Sequence, residues 1–286
     1  MIRLSSSVPA TAGPTSLFVL LWSSGAIFSK LALAEAGSVV FLALRFALAL
    51  AVLSALALAR GHWWPRAGTG GHVALTGAVL VGGYSLAYLL ALDHGVTPGV
   101  LATLMGLQPL LTLVLTERPL RPHRLGGLVM ALAGLVLVVS GSLLQARMEV
   151  TGLLFSFVAL ACITAGTLMQ KRLAQSPLEV MPLQYAVTLL MCLALLPLAP
   201  VRVQWSAQLA VAVVWLGLVI SVAATLLLYR LIQQGNLVNV TSLFYLVPAG
   251  TAVLDWLVLG NVMPQAAMAG TVAILAGLVL VYRETG

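Results

Sequence analysis

Few side chains in this sequence can do chemistry, and most of those that can are cations, amides or aromatic rings inside long apolar runs. Arg45 lies about eight residues into one such run, roughly 12 Å along a helix at 1.5 Å per residue. Lys30 lies in the outer third of the run before it. Ionisable groups at membrane depth are functional sites by default. A guanidinium there meets a substrate carboxylate or fixes a gate. The competing reading has Lys30 snorkelling outward to pair with Glu35 or Asp93, and Arg45 bonding helix carbonyls. Asp255 reads as an interfacial acid, with a proton site or a partner for Arg45 as the alternatives, and Glu117, among Arg118, Arg121 and Arg124, as part of a solvated ion-pair cluster.

A second set is aromatic and amide: Trp22, Tyr84, Tyr88, Gln108, Tyr185, Tyr229, Asn239, Phe244 and Tyr245. Tyr84 and Tyr88 are four apart and share a helix face. With Gln108 beside Pro109, they suit a cavity that stacks on apolar groups and orients polar ends. Tyr88 and Tyr229, at helix ends, also suit an interfacial aromatic belt. Pro109 and Pro248 each remove a backbone hydrogen bond, which membranes tolerate where neighbours or a water-filled cavity satisfy the freed groups. Histidines 62, 72, 94 and 123 all fall at helix ends or in links, so no buried proton relay or His-ligated metal site is expected. Cys162 and Cys192 sit singly in apolar runs and behave as small core residues. An enzyme would gather acids, histidines or a nucleophile with its base at one depth; no such gathering is present, and no cofactor, metal or catalytic residue is expected.

These groups need elements to hold them, and the composition says which. Of 286 residues, 61% are hydrophobic and 7% charged, against about a quarter charged in soluble domains. Mean hydropathy is +1.10. At about 20 apolar residues per span, the length allows ten spans and almost nothing else. Apolar runs place helices at 15–35, 38–59, 72–92, 97–116, 124–143, 150–171, 178–198, 208–230, 237–259 and 265–282, after a tail at 1–14. The first run lacks a small-residue cleavage pattern and reads as a retained span. The net charge of +7 lies between apolar runs, not in a basic stripe, so nucleic acid is not an expected partner. Alternate links hold Arg3, Arg60, Arg66, Arg118, Arg121, Arg124, Lys171, Arg172, Arg230 and Arg283 on one side, against Arg147 and Arg202 on the other. By the positive-inside rule both termini are cytoplasmic.

The chain also repeats itself. Leu132–Val138 and Leu275–Val281 are identical, and Gly127 and Gly134 match Gly270 and Gly277 at the same offset of 143. With small slips Tyr88 matches Tyr229 and Pro109 matches Pro248. Two halves, 15–143 and 150–283, follow. Five spans in each place them in opposite orientations, a common secondary-transporter design. The expected class is all-α integral membrane, ten helices in two inverted five-helix repeats. Gly127, Gly134 and Gly141 form a small-residue face for close helix approach, serving as scaffold or as a homodimer contact.

Trp22-Ser-Ser-Gly25 with Phe28 and Lys30, and Arg45-Phe46 in the second helix, resemble the opening repeat of the drug/metabolite transporter superfamily, EamA branch. Gly152-Leu-Leu, Ala165-Gly-Thr-Leu-Met-Gln-Lys-Arg172, Tyr88-Leu-Leu-Ala-Leu92 and the fourth-helix proline extend the resemblance over nearly the whole chain. It implies a ten-helix carrier of small metabolites, often an exporter of amino acids or related compounds. The sequence departs where relatives often carry an acid: Gln108 precedes Pro109, and Gly260 is followed by Asn261. Both departures weigh against a buried acid as a coupling-proton site.

The expectation is a secondary transporter, not an enzyme, in a cell membrane (the inner membrane in a bacterium). It exports a zwitterionic or amphipathic metabolite by alternating access, with lipid and the small molecule as partners. Its path runs between the halves near Gln108-Pro109 and Pro248, with Trp22, Lys30, Arg45, Tyr84, Tyr88 and Tyr245 contributing. A lipophilic-drug or nucleotide-sugar-type carrier is the alternative, and a membrane enzyme or receptor a distant one.

Overall fold

The computed structural model describes residues 8–61, 64–144, 149–259 and 263–283. Ten helical spans follow one another: α1 (Val8–Glu35), α2 (Ser38–Ala59), α3 (Gly70–Asp93), α4 (Pro98–Thr116), α5 (Pro122–Val138), α6 (Val150–Arg172), α7 (Pro177–Leu198), α8 (Ala207–Gln234), α9 (consecutive segments Leu237–Ser242, Leu243–Tyr245 and Leu246–Leu259) and α10 (Gln265–Tyr282). Among the described residues nine helices are long and apolar enough to cross a membrane; α5, at 17 residues, is the short one. Its length of about 25 Å approaches the hydrocarbon thickness of about 30 Å. These are the expected spans, displaced by a few residues at their ends, except that α1 begins at Val8, within the stretch expected as a tail at 1–14, and that α5 stops at Val138 and a short helix, Ser140–Leu144, follows.

A bilayer interior offers no water, so each segment must satisfy its own backbone. Hydroxyls inside the spans do the same by donating to the carbonyl one turn back: Thr112 to Gln108 O (2.8 Å), Thr188 to Gln184 O (2.9 Å), Thr241 to Leu237 O (3.0 Å). Side chains cap some of the helix starts. Ser206 Oγ takes the Leu209 N–H at 3.1 Å, and Asn236 Oδ1 the Asn239 N–H at 3.2 Å. At the end of α3, Gly95 at φ +79° lets its N–H reach Leu92 O and the Val96 N–H reach Ala91 O, both at 3.1 Å, a Schellman cap.

The departures from regular helix recur in both repeats. The third helix of each contains a π-helical stretch, Ala78–Gly83 in α3 and Trp215–Ala224 in α8. The fourth helix of each is broken: α4 divides into Pro98–Met105 and Gln108–Thr116, while α9 passes through the 3₁₀ turn Leu243–Tyr245. Each break lies at the residue four before a proline, Pro109 or Pro248, where the ring would strike the preceding turn's carbonyl.

The chain forms two compact units, each drawing on both repeats. The first comprises Met1–Ser24, Thr97–Arg147 and Gly235–Gly286. Its centre is the α5–α10 pair, with Leu128, Ala131, Leu135, Ile274 and Leu278 in the core. A Cβ on Gly127 would stand 2.6 Å from Gly277 O, and one on Gly134 would stand 2.6 Å from Gly270 O. Residue numbers run oppositely along that contact, so α5 and α10 are antiparallel. Because Gly127 and Gly134 correspond to Gly270 and Gly277, the contact is reciprocal, as inverted copies require. Two of the three glycines in the small-residue row are thus spent on α10, whereas Gly141 has nothing within 4 Å of its would-be Cβ.

The second unit comprises Gly25–Val96 and Met148–Gln234. α2 packs on α7 and on the π stretch of α8, and α3 packs on α6 and α7. The α1–α2 link pairs with the α7–α8 link through Gly37 N–H to Arg202 O and Gln204 N–H to Glu35 O, both at 2.8 Å.

Candidate functional site

The second unit places a cation among polar groups inside a span. Arg45 follows Ser38 and Leu42 and precedes Ala49 on one face of α2, all three buried, whereas Ala47, Ala51, Ala55 and Leu58 form the exposed opposite face. Arg45 itself is half-buried. Its exposure is therefore on the protein-facing side, not the lipid-facing one. Arg45 Nε donates to Ser221 Oγ at 2.8 Å, and its guanidinium carbon lies 5.4 Å from the Phe46 ring centroid. Tyr84, Tyr185 and Cys192 lie within reach of its charge. Among the described residues no carboxylate pairs with Arg45.

Ser221 stands in the π stretch of α8. A wider turn re-aims side chains and carbonyls relative to an α-helix, which is why such stretches recur at functional sites. Here Ser221 presents its hydroxyl to Arg45 and its carbonyl to Tyr185, whose OH donates at 2.6 Å. Tyr185 meets Phe46 edge-on, with centroids 5.7 Å apart. Tyr84 and Tyr88 are both half-buried and in ring contact at 5.6 Å.

A neutral network lies on the same unit. Tyr229 OH donates to Gln184 Oε1 at 2.8 Å, and Gln184 Nε2 donates to Gln170 Oε1 at 2.9 Å. Tyr229 is 1% exposed, so the expected belt role is corrected. Its hydroxyl needs a buried partner, and Gln184 supplies one. Lys30 is exposed on α1, and neither expected partner holds it: Asp93 instead accepts from Ser38 Oγ.

The remaining expected residues belong to the first unit. Gln108 (1% exposed) and Pro109 are buried just after the break in α4. Tyr245, also buried, donates its OH to Gly106 O at 2.7 Å, so the two broken helices are bonded to each other at their breaks. Ser23 Oγ reaches Val247 O at 3.1 Å, and Thr251 Oγ1 donates to Ser23 O at 2.8 Å, bracing α1 against the turn around Pro248. Trp22, half-buried, packs edge-on against Phe244 at 5.6 Å. Trp22, Gln108, Pro109, Tyr245 and Pro248 thus share one unit, and Lys30, Arg45, Tyr84 and Tyr88 the other.

Glu117 is not in a solvated cluster. It bonds Arg124, whose guanidinium also reaches Asn236 and Asn239, and side-chain exposure is 8% for Arg124 and 16% for Glu117. α9 covers the pair, and a buried charge must be matched there. Arg118 and Arg121 are exposed. The Asp255 side chain, His62, Arg3, Arg147 and Gly260-Asn261 lie outside the described residues.

Three of these participants are not marked as candidate site residues by the sequence alone. Gln170 and Gln184 carried the same signal as Gln108, an amide within an apolar run. Ser221 carried none, because only the π stretch turns it toward Arg45.

A family model described as the EamA-like transporter family matches residues 15–140 and again 150–283. A solved crystal structure is similar over 96% of this chain and 97% of its own, with a TM-score of 0.79 at 22% identity, a likeness of fold. No curated protein sequence matches the chain.

Proposed function

The chain belongs to the EamA-like transporter family and is a multi-pass membrane transporter of small molecules, and from that premise we propose that it exports a carboxylate-bearing, zwitterionic or amphipathic metabolite such as an amino acid. The observation that carries this reading is Arg45. A cation costs about 2.5–3.5 kcal/mol at the centre of a span on insertion scales and less toward its ends; Arg45 lies between the two, and one hydroxyl from Ser221 does not neutralise it. An anionic substrate group would. Ser221 holds the guanidinium's Nε edge, which leaves the terminal nitrogens for the paired donation that carboxylates favour.

Tyr84 and Tyr88 supply apolar and hydroxyl surface for the rest of the solute. The second element of the proposal is motion. The breaks in α4 and α9 and the π stretches in α3 and α8 are where helices bend with least loss, which suits alternating access by rocking of one half against the other. Gln108, Pro109, Trp22, Tyr245 and Pro248 are assigned to the path on this basis. Both termini are assigned to the cytoplasm from the Lys and Arg distribution.

The test is counterflow in liposomes containing the purified protein, using labelled amino acids and a lipophilic cation side by side. Arg45→Gln should abolish movement of carboxylate solutes while the protein keeps its melting temperature. Undiminished amino-acid movement by Arg45→Gln would refute the assignment. Movement of the lipophilic cation alone, unaffected by the substitution, would select the drug-carrier reading instead.

A further inference from the structure

Within the second unit the two repeats make the same contacts with different closeness. Gly25 of α1 and Gly166 of α6 are equivalent, as are Ile220 of α8 and Leu80 of α3, at offsets of 140 to 141 residues. On one side, a Cβ on Gly166 would lie 2.6 Å from Leu80 Cα, so the α6 and α3 backbones touch. On the other, a Cβ on Gly25 would lie 3.8 Å from Ile220 Cδ1, an ordinary side-chain contact.

The next pair repeats the difference. Gly77 of α3 abuts the Cα of Gln184, whereas its equivalent, Gly217 of α8, is nearest the Leu48 side-chain end at 3.1 Å and Arg45 O at 3.3 Å. Gln184 and Arg45 are themselves equivalent at an offset of 139. The same asymmetry appears in a third, chemically independent pair. The chain has two lysines, Lys30 and Lys171, and they too are equivalent, at an offset of 141. Lys171 Nζ donates to Gln233 O near the end of α8 at 3.0 Å; Lys30 is exposed.

We infer that these are two alternate gates of one device. The contact of α3 with α6 and α7, latched by Lys171, is closed in this structure, whereas the contact of α8 with α1 is slack and α8 meets α2, beside Arg45, less closely than α3 meets α7. In the opposite-facing state the closeness exchanges: Gly25 closes on Ile220, Gly217 on Arg45, Lys30 latches onto the carbonyls ending α3, and Lys171 is released. Helix interfaces repack between discrete arrangements and do not deform continuously, so each glycine is needed for one state only. Arg45 is then open to solute in the present state and covered in the other. This inference rests on the carrier reading above, because it supplies that reading's alternation.

A single added methyl discriminates the two gates. Gly25→Ala has room now but not in the exchanged state; Gly166→Ala is the reverse. The readout is acylation of Lys30 and Lys171 by a water-soluble amine reagent, quantified by mass spectrometry on the full chain in permeabilised proteoliposomes, with uptake of a labelled proteinogenic amino-acid mixture measured in sealed ones. Gly25→Ala should melt like the parent, keep Lys30 reactive and Lys171 protected, and lose uptake. Gly166→Ala should raise Lys171 reactivity and protect Lys30. Should Gly166→Ala not fold, Gly25→Ala alone decides, because a merely structural glycine would leave its uptake intact. Parental uptake by Gly25→Ala, or Lys30 and Lys171 changing together in either variant, would overturn the gates. Parent protein that moves no amino acid while the labelling exchanges as stated would leave the gates standing and remove the cargo.

Discussion

Gly126 and Gly127 are neighbours on α5, yet one helical step separates open space from backbone contact. A Cβ on Gly126 meets nothing within 4 Å; one on Gly127 would lie 2.6 Å from Gly277 O, 2.9 Å from Leu280 Cβ and 3.0 Å from a Val281 methyl. An unstrained carbon–oxygen contact needs about 3.3 Å, so Gly127→Ala must part α5 from α10 by about 0.7 Å. Overpacking of this kind costs about 1–3 kcal/mol. Alanine returns roughly 0.5–1 kcal/mol through helix propensity, and Gly126→Ala gains that term without the clash. The expected difference between the two variants is therefore about 1–3 kcal/mol, with Gly126→Ala at or above the parent. Thermal unfolding of the purified protein in one detergent, alongside its oligomeric state, measures it. Equal stabilities would refute the reasoning. So would a loss in Gly127→Ala that appears as a changed oligomeric state and not in the protomer, because Gly127 would then face a second copy and not α10.

Two further outcomes follow from buried polar contacts in the first unit. Tyr245→Phe leaves Gly106 O without its 2.7 Å donor at the α4 break and should cost about 1–3 kcal/mol in the same unfolding assay, with far-ultraviolet dichroism unchanged. Arg124→Gln strands Glu117 beneath α9 and should cost about 3 kcal/mol, near the low end for a buried pair; a double-mutant cycle with Glu117→Gln that shows no coupling would contradict the burial of this pair.

The residues differ in how far ahead they could be read, and the reason is physical. Arg45 and Gln108 stand out because a charge or amide in a run of leucines and alanines has few neutral explanations. Pro109 and Pro248 announce broken helices because the ring acts on its own chain four residues back. Glu117 misled, because three nearby arginines suggest a wet cluster; Asn236 and Asn239, more than a hundred residues away, make it a covered one. Tyr229 misled likewise: position along a helix suggested the interface, and only Gln184 shows that its hydroxyl points inward.

Sequence by itself determined the ten spans, their short links and the inverted duplication, because apolar length, charge asymmetry and repeated glycines act locally or through the bilayer, which every segment meets alike. Tertiary structure decided that the units draw on both repeats, that Ser221 turns toward Arg45, and that Gly25 and Gly166 are equivalent in sequence but unequal in closeness. These depend on which helices touch and how nearly. Lipid-like side chains leave that choice unmarked in the sequence until the backbones have met.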